Sequence, residues 1–306
     1  MIVKIEESVR LDLATVEAVE LPELNHRRNT LDVLRLDKIH PIISGNKWFK
    51  LKYSLQQALS QNKKSLVTFG GAYSNHILAA ACLCREVGLP SIGVIRGEQP
   101  RELSCTLMAA KDQGMEIEFI SRNAFANKDH LYASIQNKYG QSYLVEEGGR
   151  NENGILGAEE ILKLRQLEKY KYICCSIGTG TMMAGIIRAS MPNQQVIGLS
   201  SLKITKDENE LTAFLQANTN RRKNYNLIFD YHFGGYAKHS KELLHFMNDF
   251  FTRTSIPTDF VYTGKLFYGI TELVNKSYFE PGSTILVIHS GGLQGNCSLK
   301  AGALLF

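Results

Sequence analysis

Short apolar runs alternate along the chain with longer stretches in which apolar residues recur every three or four positions. The runs at residues 66–69, 91–95, 116–120, 142–145, 172–177, 195–199 and 284–289 read as strands, apolar throughout instead of every second residue. Between them, helical periodicity fits 75–87, 102–113, 130–138, 155–166, 182–189 and 241–253. Strands without a polar face, each followed by a helix, predict parallel sheets covered on both sides. The first four strands are expected in one open sheet and the later ones in a second. The join falls at Glu147-Gly148-Gly149-Arg150-Asn151-Glu152-Asn153. The expected fold is α/β, with two open-sheet three-layer domains: residues 1–50 plus 151–306 as the larger, 51–150 as the smaller. Residues 206–226 are polar and irregular enough to form a surface excursion.

Composition removes several functions. Lys and Arg number 35 against 30 Asp and Glu, a net charge of +5 that is mild for 306 residues. The longest basic run is Arg221-Arg222-Lys223, so nucleic acid is not an expected partner. No window approaches the 18 or so apolar residues of a membrane span. The start, Met1 to Ser8, lacks the apolar stretch of a signal peptide. Six cysteines form no zinc spacing, and the adjacent Cys174-Cys175 lies in an apolar strand pattern where cysteine serves as a small hydrophobe. A reduced, cytoplasmic setting is expected.

Ligands of open α/β sheets sit beyond the carboxyl ends of the strands, and three glycine-bearing turns fall there. Gly178-Thr179-Gly180-Thr181 leads from a strand into a helix, where backbone N–H groups, two hydroxyls and the helix end suit a phosphate monoester. As a dinucleotide fingerprint it is imperfect, because Met183 stands where the third glycine belongs, and no acidic ribose ligand follows. Gly70-Gly71-Ala72-Tyr73-Ser74-Asn75-His76 has the same context, with Ser74 read equally as a helix cap and as a binding group. Ser290-Gly291-Gly292 closes the last strand. Ahead of all three stands Ser44-Gly45-Asn46-Lys47, whose Gly-Asn turn fixes the direction of the lysine. An imine-forming amine needs a depressed pKa, with Trp48 and Phe49 as candidate apolar walls and Lys50 as a candidate cation. Tyr262-Thr263 and Phe233-Gly234-Gly235-Tyr236 add two tyrosines, the second expected on an exposed loop. A lysine preceding several anion-binding turns points to pyridoxal phosphate.

In this order these motifs resemble the fold-type II (tryptophan synthase beta-like) pyridoxal-phosphate enzymes, within them the family of 1-aminocyclopropane-1-carboxylate (ACC) deaminase and D-cysteine desulfhydrase. The resemblance spans about Arg35 to Gly292. It implies a cofactor in the interdomain cleft and Lys47 as its Schiff-base lysine. It also implies Asn75 on the phenolic oxygen, Ser74 at the substrate carboxylate or in proton transfer, and Gly178, Thr179, Gly180 and Thr181 around the phosphate. Lys50, Ser290 and Gly291 complete the cofactor set. Tyr262 and Tyr236 stand near the reacting carbon and Thr263 opposite the pyridine nitrogen. ACC deaminases carry glutamate at the place of Thr263 and glutamine at that of His76. Thr263 and His76 follow the desulfhydrase pattern, whereas Trp48-Phe49 departs from the family. The expected activity is a deaminating lyase on a small amino acid: D-cysteine desulfhydrase-like β-elimination to a 2-oxo acid and ammonia. ACC ring opening and a non-catalytic amino-acid-binding homologue are the alternatives. Members of this fold type commonly pair as homodimers.

Overall fold

In the computed structural model, residues 8–25, 27–203, 208–220, 222 and 224–306 are described. The chain start up to Glu7, together with Arg221 and Lys223 of the basic run, lies outside them. Among the described residues ten strands form two sheets. The larger runs in the order β1 (Val16–Val19), β2 (Thr30–Arg35), β10 (Thr284–His289), β7 (Tyr172–Ile177), β8 (Gln195–Ser200), β9 (Tyr225–Ile228). All its neighbours are parallel except β1 against β2. The smaller is parallel throughout, ordered β5 (Glu116–Ile120), β4 (Ser91–Arg96), β3 (Ser65–Gly70), β6 (Ser142–Val145).

The continuous apolar runs follow from burial on both faces. In β7, Tyr172 and Cys174 enter one core cluster while Ile173, Cys175 and Ile177 enter another. The adjacent cysteines thus fill opposite faces as small hydrophobes. In the smaller sheet, Val67, Phe69, Ile92 and Val94 pack with Phe125, Leu131 and Ile135 on one side. Leu66 and Ile95 join the large cluster on the other.

Three strands lie where the apolar pattern predicts none. β1 and β2 carry charged residues (Glu17, Asp32, Arg35) held by ion pairs, and β9 begins with a tyrosine and an asparagine. The expected excursion over 206–226 is instead a helix, Glu208–Asn218, followed by the edge strand β9, with residues 206 and 207 outside the described set. The helix expected over 155–166 starts earlier, at the Asn151 cap, and runs Glu152–Glu159 before tightening into a 3₁₀ turn at Glu160–Lys163. Cys105 and Cys297 are joined by a disulfide spanning 192 residues, against the expectation of six reduced thiols; such a distant pair has no spacing signature. Among the described residues no helix is long and apolar enough to cross a membrane.

Candidate active site

The carboxyl ends of β3, β4, β7 and β10 converge on one cavity of about 430 Å³. Its wall takes Lys47 and Lys50 from the helix Asn46–Ser60, and Ser74, Asn75 and His76 from the turn opening the helix Asn75–Glu86. Gly178, Thr179 and Gly180 come from the turn after β7, and Ser290, Gly291 and Gly292 from that after β10. Tyr236 and Tyr262 complete it. Of the sequence-predicted residues, Thr181 and Thr263 stand behind the wall. Trp48 and Phe49 belong to the large apolar core and do not wall the lysine.

Gly45 carries Lys47 into the cavity. Its φ of +67° is a conformation that favours glycine. The Lys47 amine donates to Asn46 Oδ1 at 2.5 Å. Burial pushes this amine down to about 8, with Asp259 opposing. Lys50 lies 3.3 Å from Thr179 Oγ1 and is held far below its usual range by burial and by the neighbouring Lys47. Thr179 and Thr181 hydroxyls are 3.0 Å apart, flanking Gly180 at φ +85°. One corner thus gathers a lysine amine, two hydroxyls and the start of the helix Thr181–Ala189.

Ser74 is a helix cap, its hydroxyl accepting from the Ile77 N–H at 3.4 Å, and also a cavity residue. Asn75 is buried and donates to the Gly292 carbonyl at 3.2 Å, leaving its Oδ1 without a partner. His76 has a fixed tautomer. The Thr68 hydroxyl gives its single proton to the Val145 carbonyl at 2.9 Å, so the 2.8 Å contact requires His76 Nε2 to donate. Its Nδ1 is a buried lone pair without a partner, and burial with the charges of Lys50 and Lys47 keeps the ring neutral.

Asp259 organises the far side. Fully buried, it accepts from the Val261 (2.8 Å), Tyr262 (2.7 Å) and Thr263 (2.9 Å) N–H groups and from the Thr263 hydroxyl at 2.6 Å. The Asp259 N–H returns a bond to Thr263 Oγ1 at 2.8 Å. The threonine proton is therefore committed away from the cavity. Lys265 donates to the Gly235 carbonyl at 2.7 Å, tying the Tyr236 loop to the helix Thr263–Asn275. Tyr236 is half-buried, not exposed as expected, with its ring 6.2 Å from that of Tyr262. Burial raises both phenols, that of Tyr262 most strongly, so each stands as a proton donor at neutral pH.

Arg96, Lys128, Glu147, Arg150 and Glu210, none of them among the expected site residues, also line the cavity. Lys128 pairs with Glu147 at 2.7 Å and Arg150 with Glu210 at 2.5 Å. Arg96 ends β4, and a lone charge at the carboxyl end of an apolar strand was the available signal.

A family model described as pyridoxal-phosphate dependent enzyme matches residues 11–291 of this chain. A Pyrococcus horikoshii protein provisionally named 1-aminocyclopropane-1-carboxylate deaminase is 29% identical over 83% of this chain and 81% of its own length. A mitochondrial bifunctional D-cysteine desulfhydrase/1-aminocyclopropane-1-carboxylate deaminase of Arabidopsis thaliana is 27% identical, over 83% of this chain and 70% of its own. Among solved structures, an ACC deaminase homologue superposes with a TM-score of 0.79 at 24% identity, covering 95% of this chain and 94% of that one, a likeness of fold.

Proposed function

This chain belongs to the pyridoxal-phosphate dependent enzymes, and on that premise we propose that it is a deaminating lyase releasing a 2-oxo acid and ammonia from a small β-substituted amino acid, in the manner of a D-cysteine desulfhydrase. The observation that carries this is the Lys47 amine, pushed by burial down to about 8, in a cavity whose wall also presents Lys50 and Thr179.

The cavity fits the cofactor. Lys50, Thr179, Gly180 and Thr181 supply cation, hydroxyls and helix start for a phosphate. The unpartnered Oδ1 of Asn75 can accept a hydrogen bond from a hydroxyl on the ring. A Cβ on Gly178 would sit 3.2 Å from the Tyr262 ring, narrowing the space a planar ring needs. Ser290 and Gly291 close the remaining edge. Bound there, pyridoxal phosphate supplies the electron sink that acidifies the substrate Cα–H. Lys47, neutral above about pH 8, accepts that proton. Tyr262 and Tyr236, held protonated, donate to the departing group. Ser74 and the first N–H groups of its helix receive the carboxylate. The enamine released then hydrolyses in water.

ACC ring opening is the second reading, favoured by the relatives' names. Against it, the acids on the described cavity wall, Glu147 and Glu210, are both neutralised by cations. None is left to hold a ring nitrogen protonated, and an unprotonated ring favours elimination of a good leaving group. The division into 1–50 with 151–306 and 51–150, the homodimer and the cytoplasmic setting belong to the same proposal; β3 to β6 all fall within 51–150.

Purified protein loaded with pyridoxal phosphate is expected to show a visible band that borohydride bleaches, and to release 2-oxo acid from D-cysteine or β-chloro-D-alanine faster than from ACC. A reducible band surviving in Lys47→Ala, or turnover of ACC alone, overturns the assignment.

A further inference from the structure

The charges on the cavity wall do not balance. Glu147 and Glu210 are each matched by a cation. Lys47 and Lys50 are accounted for by the carbonyl and phosphate of the cofactor. Arg96 remains: it lines the cavity and makes no ion pair among the described residues. Its guanidinium rests against the Phe125 ring at 5.8 Å.

Its guanidinium lies beside the turn that follows β3. Arg96 is the last residue of β4, beside β3, whose end leads into Gly71. A Cβ on Gly71 would stand 3.7 Å from Arg96 Nη2, at ordinary contact distance, which sets the guanidinium beside the turn that precedes Ser74. The same charge is felt by the Tyr236 phenol, which burial raises and Arg96 lowers. Arg96, an exposed residue, shares the cavity wall with Tyr236 and Tyr262. The tyrosine side is where the substrate's leaving group departs under the function proposed above.

We propose that Arg96 is a specificity-determining residue that docks an anionic leaving group, so that the substrate class is β-substituted alanines carrying a phosphate, sulfate or S-sulfonate ester. This rests on the elimination reading. In the step, Lys47 takes the Cα proton, the bond from Cβ to the ester oxygen or sulfur breaks, and its electron pair leaves with the anion. The guanidinium fork presents two parallel donors to such an oxyanion. The enamine adds water and loses ammonia, and no oxidant or reductant is required.

The experiment compares O-phosphoserine with β-chloroalanine, both enantiomers of each, on the loaded wild-type enzyme and on Arg96→Gln. Wild type is expected to favour the phosphoester in kcat/KM. Arg96→Gln should lose about 10- to 100-fold on it, the worth of a charge-assisted bidentate contact, and under about threefold on the chloride. Equal losses on both would place Arg96 at the shared α-carboxylate and overturn the inference, as would a wild-type preference for the chloride. If neither compound turns over, the elimination reading fails by itself. Spectral titration with 2-amino-4-phosphonobutyrate against 2-aminobutyrate then decides for Arg96. Tighter phosphonate binding lost in Arg96→Gln supports the docking role, and indifference refutes it.

Discussion

Gly45 and Ser290 touch backbone to backbone: a Cβ on Gly45 would lie 1.8 Å from the Ser290 carbonyl oxygen. The Asn46 N–H donates to that same oxygen at 3.1 Å. The turn that presents the lysine is therefore seated on the turn that ends β10. Gly45→Ala has no flexible side chain to displace and also forces alanine to φ +67°. A loss above about 3 kcal/mol is expected, with failure to retain cofactor. Thermal unfolding and the visible band of the purified variant measure both.

Loading with cofactor should depend on pH in a defined direction. An amine attacks a carbonyl only when neutral, and the Lys47 proton leaves as pH rises through about 8. The loading rate of the cofactor-free protein is expected to climb across that value and then level. Because Asp259 holds the Lys47 pKa up against burial, Asp259→Asn should move the midpoint to lower pH. Stopped-flow absorbance gives the profile, and a midpoint near that of free lysine would contradict the burial of this amine.

Thr263 is fixed by Asp259 through two bonds, 2.6 Å and 2.8 Å. Thr263→Ser keeps both and should be near neutral. Thr263→Val leaves a buried carboxylate short of one donor, costing about 1–3 kcal/mol. Thr263→Glu brings a second carboxylate against the first, so it is expected to unfold the helix start before it alters substrate choice. Chemical denaturation ranks the three; a stable Thr263→Glu enzyme would show that Asp259 has another way out.

The disulfide closes a loop of 192 residues. In the chain-entropy description such a link stabilises by about 5 kcal/mol, an upper value. Cys297→Ser, or reduction by a dithiol at the exposed Cys297, should lower the unfolding midpoint. Calorimetry with and without reductant reads the difference, and no shift would mean that the bond adds nothing to the folded state.

Elements buried on both faces were legible in the sequence, because nothing but apolar residues fits there. β7 and β10 fall within their expected bounds, and the lysine, Ser-Asn and Gly-Thr turns meet in one cavity. What escaped is what depends on partners far along the chain. β2 holds Asp32 and Arg35 because Lys169 and Glu17 answer them, and no local pattern announces that. The commitment of Thr263 to Asp259 was equally hidden, since a hydroxyl's direction is set by a carboxylate four residues back that itself needed three backbone donors. A single arginine such as Arg96 carries no motif; its meaning comes from its place on the cavity wall and from the pairing of the described cavity acids, Glu147 and Glu210, with other cations.

The pairing of β2 with β10 sets an order of events during synthesis. β3 to β6 lie together in sequence and have every partner strand available once Val145 has emerged. The larger sheet has no neighbour for β2 on its inner side until residues 284–289 leave the ribosome. Ser290, which seats the turn bearing Lys47, arrives immediately after. A nascent chain can therefore close its smaller sheet early, but the turn that presents Lys47 has no seat until Ser290 has emerged.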